Sequence, residues 1–129
     1  MADEIILLDT SILIEHFRKK DQTKTALFQI TKANQRFAVS TVTQFEIYAG
    51  AFDDQIEFWN GFFQKMIILP FDTQTAITAS KINFELKKIN KIIEFADLFI
   101  AATAISNNIP CATLNKKHFE RIEKLQLVI

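Results

Sequence analysis

An α/β architecture, in which strands alternate with helices around a mostly parallel sheet, is the fold class this sequence predicts, on three observations. The first is Ile5-Ile6-Leu7-Leu8, a continuous apolar run that meets the polar Asp9-Thr10-Ser11, as a central strand covered on both faces would. The second is turn chemistry: 13 Phe stand against only two Gly and two Pro, too few breakers for an all-β sandwich and suited to long helices joined by short links built from Asn, Asp and Lys. The third is the alternation of short apolar runs with longer segments of helical period.

At 129 residues, 49% hydrophobic and 23% charged, the chain suits one globular domain, residues 1–129, with a substantial core. Lys plus Arg and Asp plus Glu number 15 each, so no overall field marks a nucleic-acid binder, although local patches remain open. The single Cys111 has no partner for an internal disulfide, and Met-Ala-Asp-Glu puts no basic residues before the first apolar run. A cytoplasmic location is therefore expected. No apolar stretch approaches the ~18 residues of a membrane span, so no membrane association is expected.

The elements follow in order. After the first strand, Ser11 to Phe17 reads as two helical turns ending in the basic run Arg18-Lys19-Lys20, which complements a helix dipole or contacts a phosphate backbone. A second helix is expected from about Asp21, its cap, to Ala33, with Ala26, Leu27 and Ile30 inward and a break at Asn34-Gln35. Phe37-Ala38-Val39 reads as a strand, and Ser40 caps a helix whose stripe is Val42, Phe45, Glu46 and Ala49. The helix Gln55 to Met66 presents Ile56, Trp59, Phe63 and Met66, and Phe58 and Phe62 widen that face beyond one core seam, either as a partner surface or between two core layers. Ile67 to Phe71 is a strand stopped by Pro70; Asp72 and Thr73 cap a helix through Ala76, Ala79, Ser80, Phe84 and Leu86 to Lys88. The stretch Ile92 to Ile105 is small and apolar after one acid and carries a helix with Asp97 near its N-terminus; Ile109 to Thr113 is a strand, Asn115 to Ile122 a short helix and Leu125 to Ile129 a last strand.

Three carboxylates stand where charge is expensive. Asp9 ends the first strand, Glu46 lies in the stripe of its helix, and Asp97 shares a stripe with Ile100, Ala101, Ala104 and Ile105. Each alone has a bland reading: Asp9 or Asp97 as a helix cap, Glu46 at the edge of its stripe. Clustered, they need a cation. Oxygen ligands without a Cys or His set suit Mg2+ or Mn2+, which serve phosphates by activating water and stabilising charge.

Four segments carry a family resemblance: Leu8-Asp9-Thr10-Ser11, Val39 to Gly50, Asp97 to Ala104, and Thr113 to Phe119. In order and spacing the chain resembles the PIN-domain proteins, specifically the VapC toxins of prokaryotic toxin–antitoxin pairs, over its whole length. The resemblance implies a five-stranded, mostly parallel sheet flanked by helices in a three-layer sandwich. It implies a metal-dependent endoribonuclease, the toxin of a type II toxin–antitoxin system, held by a cognate VapB-like antitoxin and acting as a homodimer on RNA. Asp9, Glu46 and Asp97 match the family's acidic, metal-binding positions, and Ser11 its hydroxyl near the metal or phosphate. Asn115 is the departure, standing where many members carry a fourth Asp. It offers a neutral oxygen to the ion, or only caps the short helix.

Two other classes compete. An aspartate-based phosphotransfer domain also places an Asp after its first strand, but the haloacid-dehalogenase type wants a second Asp where this chain has Ser11, and the receiver type wants an acidic pair and a late Lys. A catalytically weak PIN-like binding module held by a partner protein is the other; the three intact acids argue against it.

Overall fold

A computed structural model describes residues 4–33 and 36–128. Among the described residues four parallel strands form the sheet, β1 (Ile5–Leu8), β2 (Arg36–Ser40), β3 (Ile67–Leu69) and β4 (Cys111–Ala112), in the order β3-β2-β1-β4. The helices are α1 (Thr10–Arg18), α2 (Ala26–Thr31), α3 (Thr41–Gly50), α4 (Ile56–Gln64), α5 (Thr73–Lys88), α6 (Phe95–Ser106) and α7 (Lys116–Phe119). The chain steps from β1 outward through β2 to β3, then returns to lay β4 on the other side of β1. That reversal makes the carboxyl edge between β1 and β4 a topological switch point, where open α/β sheets open a crevice.

Side-chain alternation along the strands divides the interior into two cores. Ile6, Leu8, Val39 and Ala112 face a core completed by Ile12, Leu13, Leu27, Ile30, Ile47, Trp59 and Phe63. Leu7, Ala38 and Cys111 face the other, with α5 and α6 supplying Ala79, Ile82, Leu86, Leu98, Ile100, Ala101 and Ala104. Small residues on α6 let it lie close on the sheet, as the run of alanines predicts. Two helix ends show how the chain turns without glycine: Asn90 (φ 56) and Asn108 (φ 54) take left-handed backbone after α5 and α6. In each, the following amide reaches back across the last turn, Lys91 N to Leu86 O and Ile109 N to Ala104 O, the Schellman arrangement in which Asn substitutes for Gly.

Several sequence expectations shift. The fifth strand, Leu125 to Ile129, contracts to one parallel bridge between Cys111 and Leu127, with backbone bonds from Cys111 N to Gln126 O and from Val128 N to Cys111 O. The partner strand is too short to pair further: Pro110 has no N–H, and the chain turns off after Ala112 to carry Thr113 toward β1. Ile129 and the break at Asn34-Gln35 lie outside the described residues. The second helix divides into a 3-10 turn, Gln22–Lys24, capped by Asp21, and α2, capped by Thr25, whose hydroxyl accepts from Phe28 N. On α3 the buried positions are Thr43 and Ile47, not the Val42-Phe45-Glu46-Ala49 stripe; Phe45 is 70% exposed.

On α4, Trp59 and Phe63 are buried and Phe58 exposed, but Phe62 is half-buried, edge-on to Phe17 and Trp59 at 5.3 and 5.5 Å, so only Phe58 is a rim. On α5, Ala76, Ser80 and Phe84 point outward and Thr75, Ala79, Ile82 and Leu86 inward. No helix among the described residues is long and apolar enough to cross a membrane.

Candidate active site at the carboxyl edge of the sheet

Asp9 follows the last residue of β1 and is 3% exposed. It stands at the N-cap position of α1, yet its side chain makes no capping bond. Its Oδ2 accepts hydrogen bonds from Ser11 Oγ and Thr113 Oγ1 instead, both at 2.7 Å. Two hydroxyls on one oxygen fix the plane of the carboxylate. Both clamping residues are held in turn: Leu114 N donates to Ser11 Oγ at 3.0 Å and Asn115 N to Thr113 Oγ1 at 2.9 Å. The loop after β4 is thereby fastened onto the end of β1. Thr113 is fully buried, so its hydroxyl has no solvent substitute.

Asp97, in the first turn of α6, keeps 18% of its side chain exposed. Asn115 Nδ2 donates to its Oδ2 at 2.9 Å, and His118 Nδ1 lies 3.2 Å from the same oxygen. His118 Nδ1 is also 2.9 Å from Asn115 Nδ2. One nitrogen serves one of these contacts: protonated it donates to Asp97, unprotonated it accepts from Asn115. Burial pushes the Asp97 carboxyl above the ordinary carboxylate range; the His118 hydrogen bond opposes this and the charge of nearby Asp9 adds to it. Asn115 makes no side-chain cap on α7. The capping reading of Asn115 is thus replaced by a link to Asp97, because a carboxylate is a stronger acceptor than the alternatives its amide meets.

Glu46 is half-buried on α3. Its Oε1 accepts from Thr10 Oγ1 at 2.7 Å, and that hydroxyl lies 3.0 Å from the buried Thr43 Oγ1, with Ser40 Oγ a further 3.4 Å along. Thr10 is the neighbour of Asp9, so this hydroxyl chain couples α3 to the end of β1. The sequence reading assigned no role to Thr10, Thr43, Thr113 or His118. For Thr113 and His118 the available signal was their spacing around Asn115; for the two buried threonines there was none in the hydropathy pattern.

The donor chemistry fits a hard divalent cation. In each acid one carboxylate oxygen takes the hydrogen bonds, Asp9 Oδ2, Asp97 Oδ2 and Glu46 Oε1, and the other oxygen makes none among the described residues. No group of three His, Cys, Asp or Glu side chains forms a metal cage among the described residues. Mg2+ needs no such cage, since one or two carboxylates with waters and substrate phosphate suffice. Asp9 and Asp97 are the neighbouring pair, and Glu46 joins them through Thr10.

Beside Glu46 an open cleft of about 350 Å³ runs between α1, α3 and α4, lined by Ile14, Phe17, Arg18, Phe52 and Trp59 among others. Phe52 is 74% exposed on its rim.

Residues 6–125 match the family model of the PIN domain. Ribonuclease VapC1 of Methanocaldococcus jannaschii is 37% identical over 96% of this chain and 85% of its own length. The tRNA(fMet)-specific endonuclease VapC of Salmonella typhimurium is 27% identical over 94% of each chain. Among solved structures, VapBC2 from Rickettsia felis, crystallised on a DNA fragment from its promoter, superposes with a TM-score of 0.83 at 25% identity, covering 96% of this chain and 97% of that one. The chain belongs to the PIN-domain family, on its VapC ribonuclease branch.

Proposed function

We propose that the protein is a divalent-metal-dependent endoribonuclease, the toxin of a type II toxin–antitoxin pair, with Asp9, Glu46 and Asp97 as its catalytic and metal-binding acids. The observation that carries the reading is the pairing of Asp9 and Asp97 at the switch point between β1 and β4, with Asp9 clamped by Ser11 and Thr113. Mg2+ or Mn2+, when bound, supplies an activated water and stabilises charge on the phosphodiester. The chain's own residues do the rest. Ser11 and Thr113 orient Asp9; Asn115 and His118 orient Asp97. Thr10 fixes Glu46 toward the same edge. Rigid positioning of this kind is worth several kcal/mol of barrier in well-oriented reactions.

The relatives' names support RNA as substrate, and one points to the tRNA class. A VapB-like antitoxin is the partner, in keeping with the VapBC complexes among similar structures, and the cleft beside Glu46 is the surface proposed to receive it. An apolar segment carrying a charged residue fits a cleft that combines Phe52, Trp59 and Ile14 with Arg18 and Glu46. Homodimerisation and a cytoplasmic location belong to the same reading. The test is incubation of purified protein with total tRNA in Mg2+, Mn2+ and chelator. Cleavage that needs the ion and vanishes in Asp9→Asn and Asp97→Asn supports the assignment; wild-type cutting by either variant in excess Mg2+ removes it.

A further inference from the structure

The chain is neutral overall, but its cations are unevenly placed. Residues 87–91 and 116–121 hold six of the 15 basic residues, Lys87, Lys88, Lys91, Lys116, Lys117 and Arg121, and one of the 15 acidic residues, Glu120. Arg121 Nη1 donates to Ile92 O at 3.1 Å, which ties α7 to the loop between α5 and α6. Lys91, Lys117, Glu120 and Arg121 line an open cleft of about 400 Å³ there. Along the segment Asn115 to Ile122, Asn115 and His118 reach Asp97, Phe119 and Ile122 are buried, Lys117 is exposed and Arg121 half-buried. The short segment that lines this cleft is the one that reaches Asp97, so the cleft adjoins the acid site.

The acids make a difficulty for any polyanionic substrate. Asp9, Glu46 and Asp97 repel the phosphates on either side of the bond to be cut, and at an effective dielectric of about 20 that repulsion extends beyond a single contact. A strand entering the site needs compensating cations close by. We propose that the cleft of Lys91, Lys117 and Arg121 is the phosphate-binding track that holds the RNA strand flanking the scissile bond. Lys91 and Lys117 supply exposed point charges, and Arg121, fixed by Ile92 O, supplies a guanidinium of set orientation. The track positions substrate and touches no reacting atom. Being built from backbone contacts, it acts without regard to base sequence. This inference rests on the ribonuclease reading.

The experiment uses full-length protein carrying Asp9→Asn and a labelled single-stranded RNA 20-mer, with affinity measured from 0.05 to 1 M salt. Each lost phosphate contact lowers the slope of log K against log salt by about 0.7 for single strands. Lys91→Gln/Lys117→Gln should therefore lower it by about 1.4, which amounts to about 25-fold weaker binding at 0.1 M if the lines meet near 1 M. Lys91→Arg/Lys117→Arg should restore the slope, and Lys24→Gln/Lys65→Gln, an equal charge loss elsewhere, should leave it near the parent value. In active protein the Gln pair should raise KM for total tRNA and spare kcat. An unchanged slope, or one equally reduced by the Lys24/Lys65 pair, overturns the track, while tRNA cleavage by the wild type leaves the ribonuclease reading standing. If the wild type neither cuts tRNA nor the parent binds the 20-mer, both fall.

Discussion

Asn115→Asp probes the centre of the site without touching its three acids. The wild-type amide donates to Asp97 Oδ2 at 2.9 Å; the substitution replaces that bond with two facing carboxylates. Two like charges about 4 Å apart repel by about 4 kcal/mol at an effective dielectric of 20, and the lost bond to a charged acceptor adds ~1.5–3 kcal/mol. The pair can share a proton, which the raised Asp97 carboxyl already favours, and part of Asp97 is wetted. The net loss in metal-free protein should be about 2–3 kcal/mol at pH 7, or roughly 10 °C in Tm for a domain of this size. A divalent ion reverses the balance, because the extra carboxylate adds attraction for it. Thermal unfolding in chelator and in 10 mM Mg2+ measures both. The variant should melt well below wild type in chelator and gain more than wild type from Mg2+. Equal Tm values in chelator would refute the Asn115–Asp97 link, and equal gains from Mg2+ would put Asn115 beyond reach of the ion.

Three further outcomes are expected. Thr113→Val, which strips the buried hydroxyl from Asp9 and Asn115 N, should cost ~1–3 kcal/mol in urea unfolding and most of the cleavage rate, whereas Thr113→Ser should keep both. Burial holds the His16 imidazole below its usual value of 6.5, against the raising effect of Glu15. The unfolded chain then takes up a proton that the fold resists, so stability should fall as pH drops from about 6.5 through the folded-state value; His16→Gln should flatten that part of the urea-midpoint profile. Phe58→Ala, at a ring 53% exposed beside the cleft helix but edge-on to Phe17 and Trp59, should lower Tm by a few degrees through the lost aromatic contacts, ~1 kcal/mol, and weaken capture of a co-expressed antitoxin by ~2 kcal/mol, roughly 30-fold, at temperatures where both proteins are folded; full retention of the partner would take Phe58 out of that interface.

The legible features were those in which one residue's neighbours along the chain decide its place. Ile5 to Leu8 announced a buried strand because every residue in it is apolar, and the two cores it divides explain why none needed to be polar. Asp9 and Asp97 were conspicuous for the opposite reason. The α3 face was misread because Thr43 counts as polar in any hydropathy pattern, although bonds to Thr10 and Ser40 let it be fully buried. With Thr43 and Ile47 inward, Phe45 is turned to solvent and Glu46 to the margin of the face. Asn115 has the chemistry of a cap, and only a partner 18 residues away in sequence diverts it. His118 sits in a four-residue helix too short to show a period. The last strand failed for want of a partner, since Pro110 and the departure of Thr113 leave two residues to pair with.

The same departure links fold to site. A longer β4 would extend the ladder beside β1, but it would carry Thr113 forward in strand geometry and leave Asp9 Oδ2 with Ser11 alone. Ending β4 at Ala112 forfeits about two ladder bonds, each worth ~1 kcal/mol net, and returns three interactions, two of them of higher value. Thr113 Oγ1 reaches the carboxylate, Leu114 N reaches Ser11, and Asn115 comes within 2.9 Å of Asp97. Two of these three involve a buried or half-buried charge, for which hydrogen bonds are roughly twice as strong as neutral ones. The short strand is thus a condition of the site: the four residues Thr113 to Lys116 leave the sheet, bridge two acids from different elements, and start the helix that carries Lys117 and His118 alongside them.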